Sequence, residues 1–212
     1  MSIQEFALQE SVRGDCYRLL AACFYYPRKE VYTKENFFNN LAGALKRVYP
    51  PATVFSENMG EAFSLYSDEE LLVDFSRLFV GPYELKAPPY GSVYLDKGRK
   101  VMGDSTIEVM EMYREAGLAI SDDFKELPDH IAAELEFMYY LIFKEIEAIE
   151  KSEMDRALYF VGMQRQFTDK FLRRWVGPFC EKIKEGTDNA FYRAVAGCVS
   201  TFVRNSSIPD DI

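Results

Sequence analysis

The chain has 212 residues, 48% of them hydrophobic and 15% aromatic, enough apolar surface for a large buried core. Its formal net charge is −9, from 25 Lys and Arg against 34 Asp and Glu, which disfavours nucleic acid and anionic membranes as partners and favours a cationic peptide. No run of about 18 apolar residues occurs, so no membrane insertion is expected, and the opening MSIQEFALQE lacks the apolar stretch of a secretory signal, so the protein is expected to stay in the cytoplasm.

In chain order, apolar spacing from Ile3 to Tyr26 predicts a first helix that Pro27 stops. A second is predicted from Thr33 to Tyr49, where Pro50-Pro51 forbids continuation. Ser67-Asp68-Glu69-Glu70 reads as a capping box for a helix through Leu78 and Phe79, ended by Gly81-Pro82. A long structured loop then runs to Gly103, with Val93-Tyr94-Leu95 its only strand-like piece.

Helical spacing returns from Ser105 to Ala116, and Pro128 is placed at the first position of a long helix carrying Ile131, Leu135, Met138, Ile142, Ile146 and Ile149 on one face. A further helix is predicted from Ser152 to Trp175, with a turn at Gly177-Pro178. Two shorter helices, through Glu185 and from Ala190 to Arg204, and a frayed tail from Asn205 to Ile212 follow. Without repeats or flexible linkers, residues 1–212 read as a single all-α domain of about eight to nine helices with a Pro-rich structured loop.

The residues exclude much chemistry. The single histidine, His130, leaves no HExxH or three-histidine zinc site and no ferritin-like di-iron site within one subunit. No phosphate loop, GxGxxG or GxSxG turn occurs. Cys16 and Cys23 are separated by roughly 10 Å along a helix, too far to share a disulfide or a metal, and Cys180 and Cys198 form no motif. All four read as reduced, buried residues, and no cofactor or tightly bound metal is expected.

What remains is Glu126-Leu127-Pro128-Asp129-His130, followed by Glu134 and Glu136. One reading is structural, with Asp129 capping the helix and His130 bonding across to the Pro-rich loop; the other gives the pair a role in proton transfer or cation binding. The loop from Gly81 to Tyr94 has two readings as well. Its prolines and Tyr83, Tyr90 and Tyr94 suit gripping a peptide at low entropic cost, or they seal the core under a long connection.

Leu78-Phe79-Val80-Gly81-Pro82, then Ala87-Pro88-Pro89-Tyr90-Gly91-Ser92-Val93-Tyr94-Leu95-Asp96 and Gly103-Asp104-Ser105-Thr106, resemble the signature of the TorD/DmsD/NarJ group of redox enzyme maturation chaperones. Glu126-x-Pro128-Asp129-His130 with Glu134-Leu135 resembles it too, and Phe191-Tyr192-Arg193-Ala194 looks like the DmsD branch. One departure is Phe171, where members of the group often carry a histidine before the tryptophan matching Trp175.

The resemblance implies a cytoplasmic, all-helical chaperone, not an enzyme. Its partner would be the twin-arginine signal peptide, or the N-terminus of a non-exported subunit, of a molybdopterin-dependent oxidoreductase. Such a ligand needs carboxylates at one end of a groove and apolar walls along it. The candidate carboxylates are Glu84, Asp96, Glu126 and Asp129, with His130 beside them; the candidate walls are Leu78, Phe79, Tyr83, Pro88, Pro89, Tyr90 and Gly91. The alternative is a hydrolase or nucleotide-dependent assembly factor using His130 with Asp129 or Glu126, and a third reading is a plain helical assembly subunit. Monomer and helix-exchanged homodimer both stay open.

Overall fold

Helix starts in this chain are written in side-chain caps. Ser2 and Ser67 each accept from the backbone N–H three residues on, and Glu5 and Glu70 reach back to the cap's own N–H, two complete capping boxes. The computed structural model describes residues 2–82, 84–118 and 126–209. Among them are eleven α-helices, nine of eight residues or more, and no strand.

Helix α1 (Ile3–Ala22) ends four residues before the expected stop, so that Phe24 enters the core while Tyr25 and Tyr26 face solvent. The helix expected from Thr33 to Tyr49 is two, α2 (Lys29–Lys34) and α3 (Phe37–Val48). Asn36 separates them in the left-handed region, φ 47°, which asparagine tolerates better than most residues. The prolines that stop α3 also open a 3₁₀ turn (Pro50–Ala52) leading into α4 (Thr53–Leu65), a helix the sequence pattern did not announce.

Helix α5 (Asp68–Phe75) widens into a π turn (Ser76–Val80) and stops at Gly81, φ 105°. The supposed strand is instead a helical turn, α6 (Ser92–Leu95), and α7 (Asp104–Glu115) follows. The long helix α8 (Ile131–Glu150) starts three residues after Pro128, which lies in a turn.

Helix α9 (Met154–Phe167), a π turn (Thr168–Leu172) and α10 (Arg173–Gly186) run on as one rod, so the turn expected at Gly177-Pro178 does not form. Trp175, Val176, Phe179 and Cys180 are all fully buried there, and this packing overrides the local helix-breaking signal. After α11 (Ala190–Asn205) the tail is tied down rather than frayed through Pro209. Ser206 is buried, its carbonyl accepts from the Arg173 guanidinium at 2.8 Å, and Arg165 reaches the Pro209 carbonyl. The rest of the expected frayed tail, 210–212, lies outside the described residues.

Helix α8 is the axis of the fold, packed against α1 on one side and α9 on the other, while α11 crosses α4 and α10. One contiguous core links these elements, with Tyr17, Leu41, Phe137, Phe167, Trp175 and Phe202 among its buried members. All four cysteines are buried and free, and burial pushes the Cys16 and Cys180 thiols up to about 12.

The α1–α8–α9 seam also buries charge. Arg13 forks onto Glu10, with its Nε 3.0 Å from both carboxylate oxygens, and reaches Gln164, whose amide donates to Glu145 at 2.6 Å. Glu145 is fully buried, and burial, with Glu10 adding to it, raises its carboxyl to about 7.

Candidate functional site: the junction of the Pro-rich loop and helix α8

The loop after α5 is stitched down at both ends. Ala87 N–H donates to the Leu78 carbonyl at 3.0 Å, and three residues later the chain pairs with the segment before α8. There Tyr90 stands opposite His130 as an antiparallel bridge, Gly91 N–H donating to Asp129 O and Ile131 N–H to Pro89 O, each at 2.8 Å. Tyr94 and Tyr113 add hydroxyl bonds to the Pro88 and Pro128 carbonyls, at 2.9 and 2.8 Å.

Asp129 and His130 exchange the two parts of the structural reading. His130, held extended by the bridge, is the cap of α8, its Nδ1 accepting from Ala132 N–H at 3.2 Å. Asp129 is the residue that reaches across: its Oδ2 accepts from Ser92 N–H at 2.7 Å and starts α6, which is why Val93–Leu95 is helical. Burial keeps the His130 imidazole neutral, lowering it to about 4, with the Tyr90 ring edge-on at 5.5 Å.

Beneath the junction Glu134 is fully buried and accepts from Trp175 Nε1 at 2.9 Å, and burial raises its carboxyl well above the usual range. Gly91 lies against this pair. A Cβ there would stand 3.1 Å from both Glu134 Oε1 and Trp175 Nε1, so the loop approaches the core as closely as its backbone permits. Tyr94 stacks on the Trp175 ring at 5.6 Å. Phe171, in the position of the absent second histidine, is buried beside Phe167.

The candidate site residues are therefore divided. Glu84, Pro88 and Tyr90 line a cleft of about 460 Å³ with Val93, Tyr94 and Lys182. Glu126 is exposed and accepts from the Tyr90 hydroxyl at 3.0 Å. Leu78 and Phe79, expected as walls, are core residues, Phe79 packing with Phe24, Phe75 and Tyr192. Pro89 and Gly91 are buried by the bridge, and Asp96 is occupied in capping α7 through Ser105 N–H and Oγ, at 3.2 and 2.9 Å. Tyr83 lies outside the described residues.

The acid–base pair of the enzyme alternative is not assembled, because His130 Nδ1, Asp129 Oδ2 and Glu126 Oε2 are each taken by a different partner. Among the described residues no group of three or more His, Cys, Asp or Glu is arranged to hold a metal ion, and no helix is long and apolar enough to cross a membrane.

This junction lies within a stretch, residues 44–181, that matches the family described as nitrate reductase delta subunit. The chain belongs to that family. Relatives of this chain include a Vibrio parahaemolyticus protein named chaperone protein TorD, 32% identical over 65% of this chain and 63% of its own length. Another is a Salmonella typhimurium protein named Tat proofreading chaperone DmsD, 28% identical over 78% of this chain and 80% of its own. The match to the Vibrio relative thus spans less than two thirds of that protein. The fold resembles the crystal structure of a protein assigned to redox enzyme maturation from Archaeoglobus fulgidus, with a TM-score of 0.54 at 20% identity, covering 89% of this chain and 92% of that one.

Within the delta subunit frame, Trp175 was read from sequence only as a landmark, although it is the floor of the junction, and Tyr25 was not singled out at all. Tyr25 donates to Glu136 on α8 at 2.9 Å, a pairing across 111 residues that no local pattern carries.

Proposed function

We propose that the protein is a cytoplasmic chaperone in the maturation of molybdopterin-dependent oxidoreductases. It would hold the basic, apolar leader or N-terminus of the catalytic subunit and catalyse no reaction itself. The names of its relatives, chaperone protein TorD and Tat proofreading chaperone DmsD, support this reading. The observation that carries it is the loop pinned to the α8 start, whose cleft carries Glu84 beside Lys86, Arg99 and Lys182 and is walled by Pro88, Tyr90, Val93 and Tyr94. The cleft thus suits the apolar part of a leader, while Glu84 and the exposed Glu126 beside it meet the basic part. Asp129 and His130 belong to the site as the residues that build this surface, the first holding α6 and the second starting α8.

The test is calorimetric titration with a synthetic leader carrying two adjacent arginines before an apolar segment, beside the same peptide with both arginines changed to alanine. The proposal expects the alanine peptide to bind about tenfold or more weakly at low salt, as for the loss of charge-assisted contacts. Binding of the arginine peptide should weaken but survive as salt rises, through its apolar part. Equal affinity for the two peptides at low salt, or no binding of either, rejects it. A non-exported subunit's N-terminus in the same titration identifies which kind of client the protein serves.

A further inference from the structure

Beside the loop junction, on the face formed by the end of α1 with α2 and α3, lies an apolar groove of about 460 Å³. Its walls are Ala22, Tyr25, Tyr26, Val31, Tyr32 and Phe37. Tyr32 and Phe37 form a buried floor, whereas Tyr25, Tyr26 and Val31 are 39%, 56% and 49% exposed. Arg28 and Glu35 complete the rim and cancel in charge. Three adjacent large apolar side chains are thus exposed on a chain of net charge −9.

One wall residue ties the groove to the junction. The Tyr25 hydroxyl donates to Glu136 Oε1 at 2.9 Å, and Tyr90, on the other side, donates to Glu126 Oε2 at 3.0 Å. Burial raises the Tyr25 phenol, and the charges of Glu136, which it contacts, and of Glu126 both add to it. Each carboxylate thus has one oxygen fixed by a tyrosine, while Glu136 Oε2 and Glu126 Oε1 have no hydrogen-bond or ion-pair partner among the described residues. Behind them Asp129, 1% exposed, keeps Oδ1 without a partner among the described residues and adds its charge to the Tyr90 phenol.

We infer that this groove and its two tyrosine-held carboxylates form one binding surface for a peptide in which adjacent basic residues precede an apolar run. Glu136 and Glu126 receive the basic side chains, and the groove takes the apolar ones. Charge complementarity selects this occupant. A carboxylate oriented by a phenol offers its remaining oxygen to a guanidinium in a set direction, the Tyr25 and Tyr90 rings supply faces for the same cation, and the adjoining wall is apolar. The inference rests on the leader-binding reading proposed above and moves the recognition of the basic pair from the Glu84 cleft to the far side of Tyr90.

The experiment titrates the two-arginine leader and its double-alanine counterpart into the full chain and into Glu136→Gln, Val31→Ser and Glu84→Gln, with a melting curve for each. Glu136 and Val31 are exposed on their helices, so these variants are expected to fold. Glu136→Gln is expected to weaken the arginine leader about tenfold, to leave the alanine leader unchanged and to reduce the salt dependence, which a merely structural role would not do. Val31→Ser is expected to weaken both leaders about threefold, and Glu84→Gln to weaken the arginine leader less than Glu136→Gln does. Normal discrimination between the leaders by the full chain, together with unaltered affinity in Glu136→Gln and Val31→Ser, overturns this inference and leaves the proposed function standing. Absence of discrimination in the full chain removes both.

Discussion

His130 and Glu145 are buried titratable groups whose burial acts in opposite senses on stability. The folded imidazole titrates at about 4 instead of 6.5, so between those values the unfolded chain binds a proton that the folded chain refuses. Its effect is nil above about 6.5, and stability is lost as pH falls through the window. The Glu145 carboxyl titrates at about 7 instead of 4.5, so the folded chain keeps a proton that the unfolded chain releases, and stability is lost as pH rises from 4.5 to 7. Each amounts to at most about 3 kcal/mol. His130→Asn, which retains a good cap for α8, is expected to lose less stability than the parent on acidification from pH 6.5 to 4.5. Glu145→Gln, which still accepts from Gln164, is expected to lose less as pH rises from 5 to 7. Urea denaturation across this range checks both, and parallel pH profiles for parent and variants reject the assignment.

At the scale of elements, helix glycines separate intrinsic propensity from packing. A Cβ on Gly43 in α3 or Gly162 in α9 meets nothing within 4 Å, whereas on Gly197 in α11 it would stand 2.6 Å from the Phe55 ring of α4. Gly43→Ala and Gly162→Ala are therefore each expected to stabilise by up to about 1 kcal/mol. Gly197→Ala is expected to cost about 1 kcal/mol net, because overpacking the α4–α11 crossing outweighs the helical gain. Thermal melts of the three variants decide it, and stabilisation by Gly197→Ala would mean that Phe55 moves freely. The same competition explains the rod from α9 through α10, where a buried Trp175, Val176 and Phe179 hold Gly177-Pro178 in a helix.

For the whole molecule, the excess of acid over base should act on encounter more than on residence. Association of a basic leader is expected to slow severalfold between low and physiological salt while dissociation changes little, measurable by stopped-flow with a labelled leader. An unchanged association rate would remove the long-range part of the attraction. The all-helical class, the capping box at Ser67 and the Pro-rich loop after Gly81 were legible in the sequence, because caps, prolines and 3.6-residue periodicity act over a few residues. The Glu126-to-His130 stretch was recognisable as a motif on the same ground. Tertiary structure alone decided that His130 caps while Asp129 reaches across to Ser92, that Leu78 and Phe79 are core, and that Tyr25 meets Glu136. Each of these depends on which distant segment packs alongside. A bridge between Tyr90 and His130 forces an extended cap, and only the packing of α1 on α8 brings two residues 111 positions apart within hydrogen-bond reach.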